Sequence, residues 1–236
     1  GATIANNTIG NFEGTAGVDD RGIWLAAGSK NVVVETNSII SLKYIGTGGY
    51  GTYGIYVTTG ETNSGNILRN NVIADLSGDG WTHLTVLGDN THGIYATSTQ
   101  TGIKIYNNSI NLSGNTLNQT DALTTGICLG TGSTADISNN IIVTNSGLLA
   151  ATGYGSTAIY LQTSASQLEN AGYNNLFDNA TGSGVKLVGK IGTTDYATLA
   201  AWKAAVALEV NSISADPLFT ALTDLTPSSY GFAGMP

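Results

Sequence analysis

Residues 76–92 gather more groups capable of acid–base chemistry than any other segment: Asp79, His83, Asp89 and His92, with Trp81 among them. Carboxylates and imidazoles can exchange protons with a substrate near neutral pH, and an indole offers a flat apolar face to a sugar ring. If the chain is an enzyme, this segment is where a polysaccharide lyase or glycoside hydrolase acting on acidic glycans would keep its catalytic residues. A plainer reading has Trp81 and Leu87 pinning a long loop onto the fold while its polar residues face water. Both readings stand at this point.

Other pairings are weaker. A glycoside hydrolase places an acid and a carboxylate about 5 to 9.5 Å apart across the scissile bond. Asp19-Asp20 with Arg21, followed by Thr91-His92-Gly93, is superficially similar to the paired Asp and Gly-His-Gly elements of polygalacturonases. Two repeats separate the two elements, however, and a further Asp-bearing element is missing. A lyase needs carboxylates to hold calcium and a basic residue to take a proton. Asp136 and Lys104 occupy matching positions one repeat apart, which reads more simply as a surface ion pair; Arg69 lies with Lys104 on the second strand, and Asp121 in the loop after 76–92. No metal site or cofactor is expected, calcium entering only with the lyase reading. Asn-x-Ser/Thr sequons begin at Asn6, Asn107, Asn111, Asn118 and Asn179. Asn111, Asn118 and Asn179 fall in or near loops and are the glycosylation candidates.

These residues are positioned by a repeat. Asn6-Asn7, Thr36-Asn37, Asn70-Asn71, Asn107-Asn108, Asn139-Asn140 and Asn174-Asn175 each precede a short apolar run, with second members 30, 34, 37, 32 and 35 residues apart. Near-constant spacing marks a stacked array of one supersecondary unit. In phase with it come Gly22-Ile23-Trp24-Leu25, Gly54-Ile55-Tyr56-Val57, Gly93-Ile94-Tyr95-Ala96, Gly126-Ile127-Cys128-Leu129, Ala158-Ile159-Tyr160-Leu161 and Gly184-Val185-Lys186-Leu187. Their period of two is that of a strand. Counting inward positions by two through a second strand makes the first member of each pair an inward ladder residue: Asn6, Thr36, Asn70, Asn107, Asn139 and Asn174. Ile9, Ile39, Ile73, Ile110, Ile142 and Phe177 then line a third side. Trp24, Tyr56, Tyr95 and Tyr160 form an outward aromatic column that, with Trp81, supplies the candidate ligand-binding residues; cross-strand packing explains that column equally well.

The expected fold is all-β: a right-handed, single-stranded parallel β-helix of about six rungs, with an Asn ladder and long loops (42–53, 76–92, 112–125, 144–157) leaving one corner. Residues 1–190 form the rungs. Residues 191–219 form a cap that includes a helix over 196–208, N-capped by Thr194 or Asp195 and burying Leu199, Trp202 and Val206. Residues 220–236 are a tail that could touch a neighbour.

Only 10% of the 236 residues are charged and the net charge is −8. Binding to nucleic acid draws on clustered Lys and Arg, so that partner is excluded, and no apolar stretch is long enough for membrane insertion. Cys128 is the single cysteine and has no disulfide partner within the chain. No signal peptide is visible, and the first rung's edge looks bare.

The Asn-Asn and Gly-Ile-Tyr units resemble the right-handed parallel β-helix repeat family of the pectate-lyase-like superfamily. Tyr196 to Phe219, with Leu199, Trp202, Asn211-Ser212 and Asp216-Pro217-Leu218-Phe219, is similar to the closing segment of large secreted bacterial surface proteins of that type. The resemblance implies an extracellular or cell-surface location and leaves activity open among lyases, hydrolases, adhesins and shafts. The expected role is a non-catalytic structural or adhesive module. Its partners would be flanking domains of the same protein or copies of itself joined head to tail, together with extracellular glycans. A polysaccharide lyase or hydrolase and a carbohydrate-binding module are the alternatives.

Overall fold

The computed structural model describes residues 1–112, 116–145, 147–148, 154–179 and 184–226; most of the expected 220–236 tail lies outside them. Three parallel sheets of six strands each wrap one core in about five full turns. The first sheet holds β1 (Thr3–Ala5), β4 (Val33–Glu35), β7 (Ile67–Arg69), β10 (Ile103–Tyr106), β14 (Ala135–Ser138) and β18 (Leu168–Gly172). The second holds β2 (Thr8–Gly14), β5 (Ser38–Tyr44), β8 (Val72–Ala74), β11 (Ser109–Leu112), β15 (Ile141–Thr144) and β19 (Asn175–Asp178). The third holds β3 (Asp20–Leu25), β6 (Thr52–Val57), β9 (His92–Ala96), β13 (Leu123–Leu129), β17 (Gly155–Leu161) and β20 (Val185–Ile191). A short pair, β12 (Thr116–Leu117) and β16 (Gly147–Leu148), joins two of the loops.

The parallel β-helix is therefore as expected, with its apolar columns in register. Ile39, Ile73, Ile110 and Ile142 stack in the second sheet and are fully buried, each worth about 1.5–3 kcal/mol of burial. The last member is Leu176, not Phe177, which is only half-buried.

The ladder requires a correction of one residue. Asn6, Thr36, Asn70, Asn107 and Asn139 adopt φ between 53 and 59°. They sit in the left-handed region, and the four asparagines among them are exposed. A left-handed residue turns the chain and breaks the alternation of side chains, so counting by two cannot be carried across it. The following residue is the one that points inward, and Asn37, Asn71, Asn108, Asn140 and Asn174 are buried, with Asn7 at the open end. Asn174 belongs to the ladder because the last corner residue is Tyr173, at φ 57°, so the working pair there is Tyr173-Asn174.

Each ladder amide is held on all sides. The Asn108 Oδ1 accepts from the Asn71 backbone N–H (3.1 Å) and Nδ2 (3.0 Å), while Asn108 Nδ2 donates to Leu68 O (2.9 Å) and Asn140 Oδ1 (3.0 Å). At the far end Asn174 passes its bonds to Ser212 Oγ (2.9 Å) and the fully buried Glu209 (3.0 Å).

That far end is closed in all three sheets. Val210 bridges Gly172 and Ile213 bridges Asn175, and β21 (Thr194–Tyr196) pairs antiparallel with β20. The helix α1 (Leu199–Val206) follows, N-capped by Thr198 rather than Thr194 or Asp195, because Thr194 and Asp195 are in β21. Trp202 and Val206 are buried as expected. Trp202 also explains a shift in the sixth repeat: Gly189, Lys190 and Ile191 pair with Ile159, Tyr160 and Leu161, so Val185 and Leu187 are not in the Ile and Leu columns. A Cβ at Gly189 would lie 2.1 Å from the Trp202 ring, so the isoleucine is absent where the cap enters the core.

The ladder gives a test by denaturant unfolding. Asn108→Ala removes the acceptor of the Asn71 N–H and the amide donor to Leu68 O and Asn140 Oδ1, the latter keeping only the backbone N–H of residue 108, and is expected to cost about 3 kcal/mol. Asn107→Gly, at the exposed left-handed position next door, is expected to change stability by less than about 0.5 kcal/mol. Equal losses for the two variants would mean that the ladder is not the stabilising element.

Candidate functional site

In the third sheet the pairing skips Gly22 and Gly54, joining Arg21 to Tyr53 and then Ile23 to Ile55. A Cβ on Gly54 would lie 2.6 Å from both Gly93 O and the Ile73 side chain. Skipping one residue leaves two outward columns on this face. One runs Arg21, Tyr53, His92, Thr125, Thr157 and Leu187; the other runs Trp24, Tyr56, Tyr95, Cys128, Tyr160 and Lys190.

The expected aromatic column is real, and its rings stack: Trp24 and Tyr56 lie 6.0 Å apart at 28°, Tyr56 and Tyr95 5.4 Å apart at 26°. Its accessibility is graded. Trp24 is 54% exposed and Tyr56 half-buried, whereas Tyr95 and Tyr160 lie beneath loops in a small second core with Tyr53, Leu87, Leu123 and Cys128. Ligand contact is thus open to Trp24 and Tyr56 and closed to Tyr95 and Tyr160. Cys128, in the same column, is fully buried, and burial pushes its thiol pKa well up.

The acid–base candidates of the 76–92 loop do not converge on a cleft. Asp79 is buried, with Oδ2 accepting from the Gly49 N–H (3.0 Å) and Gln119 Nε2 (2.7 Å). His83 is buried against the Asp121 carbonyl and packs its ring 4.6 Å from that of Tyr154. His92 is fully buried, with Nδ1 2.6 Å from Thr125 Oγ1 and Nε2 3.0 Å from Leu87 O. Asp89 is half-buried, and burial, then the nearby Asp19, raises its carboxyl pKa. His92 ties the loop to the sheet through Leu87, whereas Asp79 and His83 tie it to the neighbouring loops. Among the described residues no three His, Cys, Asp or Glu side chains converge as a metal-ligand set. The Lys104 and Asp136 backbones pair in register, but Asp136 accepts from Tyr106 (2.8 Å) and Ser138 (3.0 Å).

What the first turns present is a terrace. The Arg21 guanidinium lies over three rings, 5.1 Å from Trp24, 5.1 Å from Tyr56 and 5.7 Å from Tyr53. Trp24 Nε1 donates to Thr58 Oγ1 (2.8 Å), which orients the indole. Tyr53, missed by sequence reasoning, donates to Asp19 Oδ2 (2.8 Å) and lies against the Gly88 carbonyl oxygen; Asp19 Oδ1 accepts from the Gly51 N–H (3.1 Å). Burial is the main cause of the raised Asp19 and Asp20 carboxyl pKa values. A groove of about 530 Å³ borders the terrace, lined in part by Phe12, Asp19, Asp20, Arg21 and Trp24.

At the other end of the same face Lys190, 1% exposed, pairs with Asp195 (2.7 Å) and Tyr154 (3.1 Å), an anchor that sequence reasoning also missed. Of the glycosylation candidates, Asn111 is buried and donates to Leu222 O (3.1 Å), so a glycan cannot be accommodated there. Asn118 is half-buried and Asn179 exposed.

Compared with protein-family models, curated proteins and solved structures, the chain matches none of them. What the face can do follows from its residues. Stacked rings, one guanidinium and carboxylates suit non-covalent contact with a polyhydroxylated ligand.

His92 sets an acid limit on the loop. Its pKa is lowered from 6.5 to about 4, chiefly by burial, so between those values the unfolded chain binds more protons than the folded one. Stability is present above pH 6.5 and is lost as pH falls toward 4, by up to about 3 kcal/mol. His83, lowered mainly by burial, acts in the same direction, and the raised Asp19, Asp20 and Asp89 act oppositely. The contribution is therefore isolated as the difference between wild type and His92→Gln. That difference is expected to shrink by about 3 kcal/mol from pH 7 to pH 4; a pH-independent difference would contradict the assignment.

Proposed function

We propose that this chain is a non-catalytic β-helix module of a secreted or cell-surface protein, and that the Trp24–Tyr56 terrace contacts extracellular glycans. The observation that carries this reading is the division of the third sheet's outer face: stacked rings under Arg21 are accessible, while Asp79, His83 and His92 are engaged in anchoring a loop. The fine placement within the pectate-lyase-like superfamily rests on the repeat resemblance alone.

Glycan-array binding followed by calorimetry tests it. Trp24→Ala or Tyr56→Ala is expected to weaken binding at least about tenfold, whereas Tyr95→Phe, beneath the loop, leaves it unchanged. Acidic polysaccharides incubated with the protein, with or without calcium, are expected to yield neither new reducing ends nor unsaturated products. Products that disappear in Asp79→Asn or His83→Gln would establish the lyase or hydrolase alternative instead.

Partner contact through sheet edges favours one end. Among the described residues the strands β1, β2 and β3 are each paired on one side only, whereas the last turn is covered by Val210, Ile213 and β21. A flanking segment or a second copy would therefore join at the first turn. Self-association there, being isologous, closes as a dimer rather than continuing as a filament. Light scattering at rising concentration is expected to stop at a dimer; open-ended growth would favour head-to-tail assembly.

A further inference from the structure

A second hollow lies away from the terrace, where the loops of two successive turns meet. It has a volume of about 330 Å³ and is lined by Trp81, Thr82, Gln119, Thr120 and Asp121. Trp81 is 42% exposed but is not a loose side chain. Its ring rests on Gly49, where φ is +80° and a Cβ would lie 2.3 Å from the indole. The opposite wall is equally fixed. Gln119 Nε2 is bonded to the buried Asp79 (2.7 Å), and Asp121, at φ 56°, accepts the His83 backbone N–H at 3.1 Å. Buried Asp79 and His83 thus hold the two walls apart at a set separation.

A flat apolar ring facing an amide, a carboxylate and two hydroxyl-bearing residues suits one kind of ligand: a sugar, whose C–H face stacks on the indole while its hydroxyls meet the polar wall. Among the described residues Asp121 is the only charged one in the lining, and the chain as a whole carries −8. A uronate would meet like charge without a basic partner. We propose that this hollow is a second carbohydrate subsite, selective for a neutral sugar ring. It deepens the glycan-contact reading but stands on different residues, so either can fail without the other.

Indole N–H signals in NMR spectra separate the two. The chain has three tryptophans, with Trp24 bonded to Thr58, Trp202 buried and bonded to Glu209 (3.4 Å), and Trp81 beside the hollow. Cellohexaose, xylohexaose, mannohexaose, laminarihexaose and hexagalacturonate are titrated to millimolar concentration. At least one neutral hexasaccharide is expected to shift the Trp81 signal, in Trp24→Ala as in wild type, and hexagalacturonate to leave it unmoved. Asp121→Asn, which keeps a residue tolerant of the left-handed backbone, is expected to weaken that binding about tenfold. A Trp81 signal unmoved by every neutral sugar overturns the subsite, even if Trp24 responds. An equal response to hexagalacturonate overturns its selectivity, and unaltered affinity in Asp121→Asn overturns the role of the polar wall.

Discussion

The structure depends on one corner. A residue in the left-handed region turns the chain between the first and second sheets, and the asparagine after it fills the inside of the turn. Its amide oxygen accepts both the backbone N–H and the side-chain N–H of the asparagine on the preceding turn, and its own N–H groups reach a main-chain carbonyl and the next amide. A slip by one residue would break these bonds at several turns together. The ladder therefore sets strand register, and register sets which outward side chains lie over one another. Trp24 stacks on Tyr56 because Asn37 is bonded to Asn71.

The third sheet uses that register in a second way. By passing over one residue in each turn, Gly22, Gly54, Gly93, Gly126, Ala158 and Val188, it presents two outward columns, and the 76–92 loop lies across part of them. Chemistry-bearing residues placed there are drawn into holding the loops down. His92 bonds to Leu87 and Thr125, Asp79 to Gly49 and Gln119, and Lys190 to Asp195 and Tyr154. In a chain with so few charges these are concentrated resources, and their burial leaves the uncovered terrace as the most developed chemical feature of that face.

Much of this was legible because apolar periodicity and repeat spacing reflect burial directly. The three strand types, the isoleucine columns, the stacked aromatics and the Trp202 cap were all readable from residue types at fixed intervals. The ladder's phase was not, because a period-two count assumes an extended chain and the corner residue is left-handed. Asn at four of the six corner positions hinted at this, since Asn tolerates φ near +55°, but Asn is equally suited to a ladder. The shifted sixth repeat depended on Trp202 filling the space above Gly189, a contact between segments that no local pattern encodes. Tyr53 was hidden by the skipped glycine, which places it on the same face as Tyr56 although the two are an odd number of positions, three, apart. Had Gly54 been read as a break in alternation, both outward columns would have been visible in the sequence.

The graded exposure of the aromatic column separates scaffold from surface within one repeated motif. Each turn supplies the same outward slot, so the ring at that slot has no role of its own until something covers it or leaves it open. Over Tyr95 and Tyr160 a loop supplies apolar partners, and the rings become a second core that fastens the loop to the sheet. Over Trp24 no such cover exists among the described residues, and Arg21 lies on the rings instead. A guanidinium on an aromatic face is held by electrostatic attraction and remains in reach of water, so it can turn toward an arriving hydroxylated ligand without unpacking a core. Where function can develop on this stack is thus decided by loop length at each turn, the repeat itself being the same throughout.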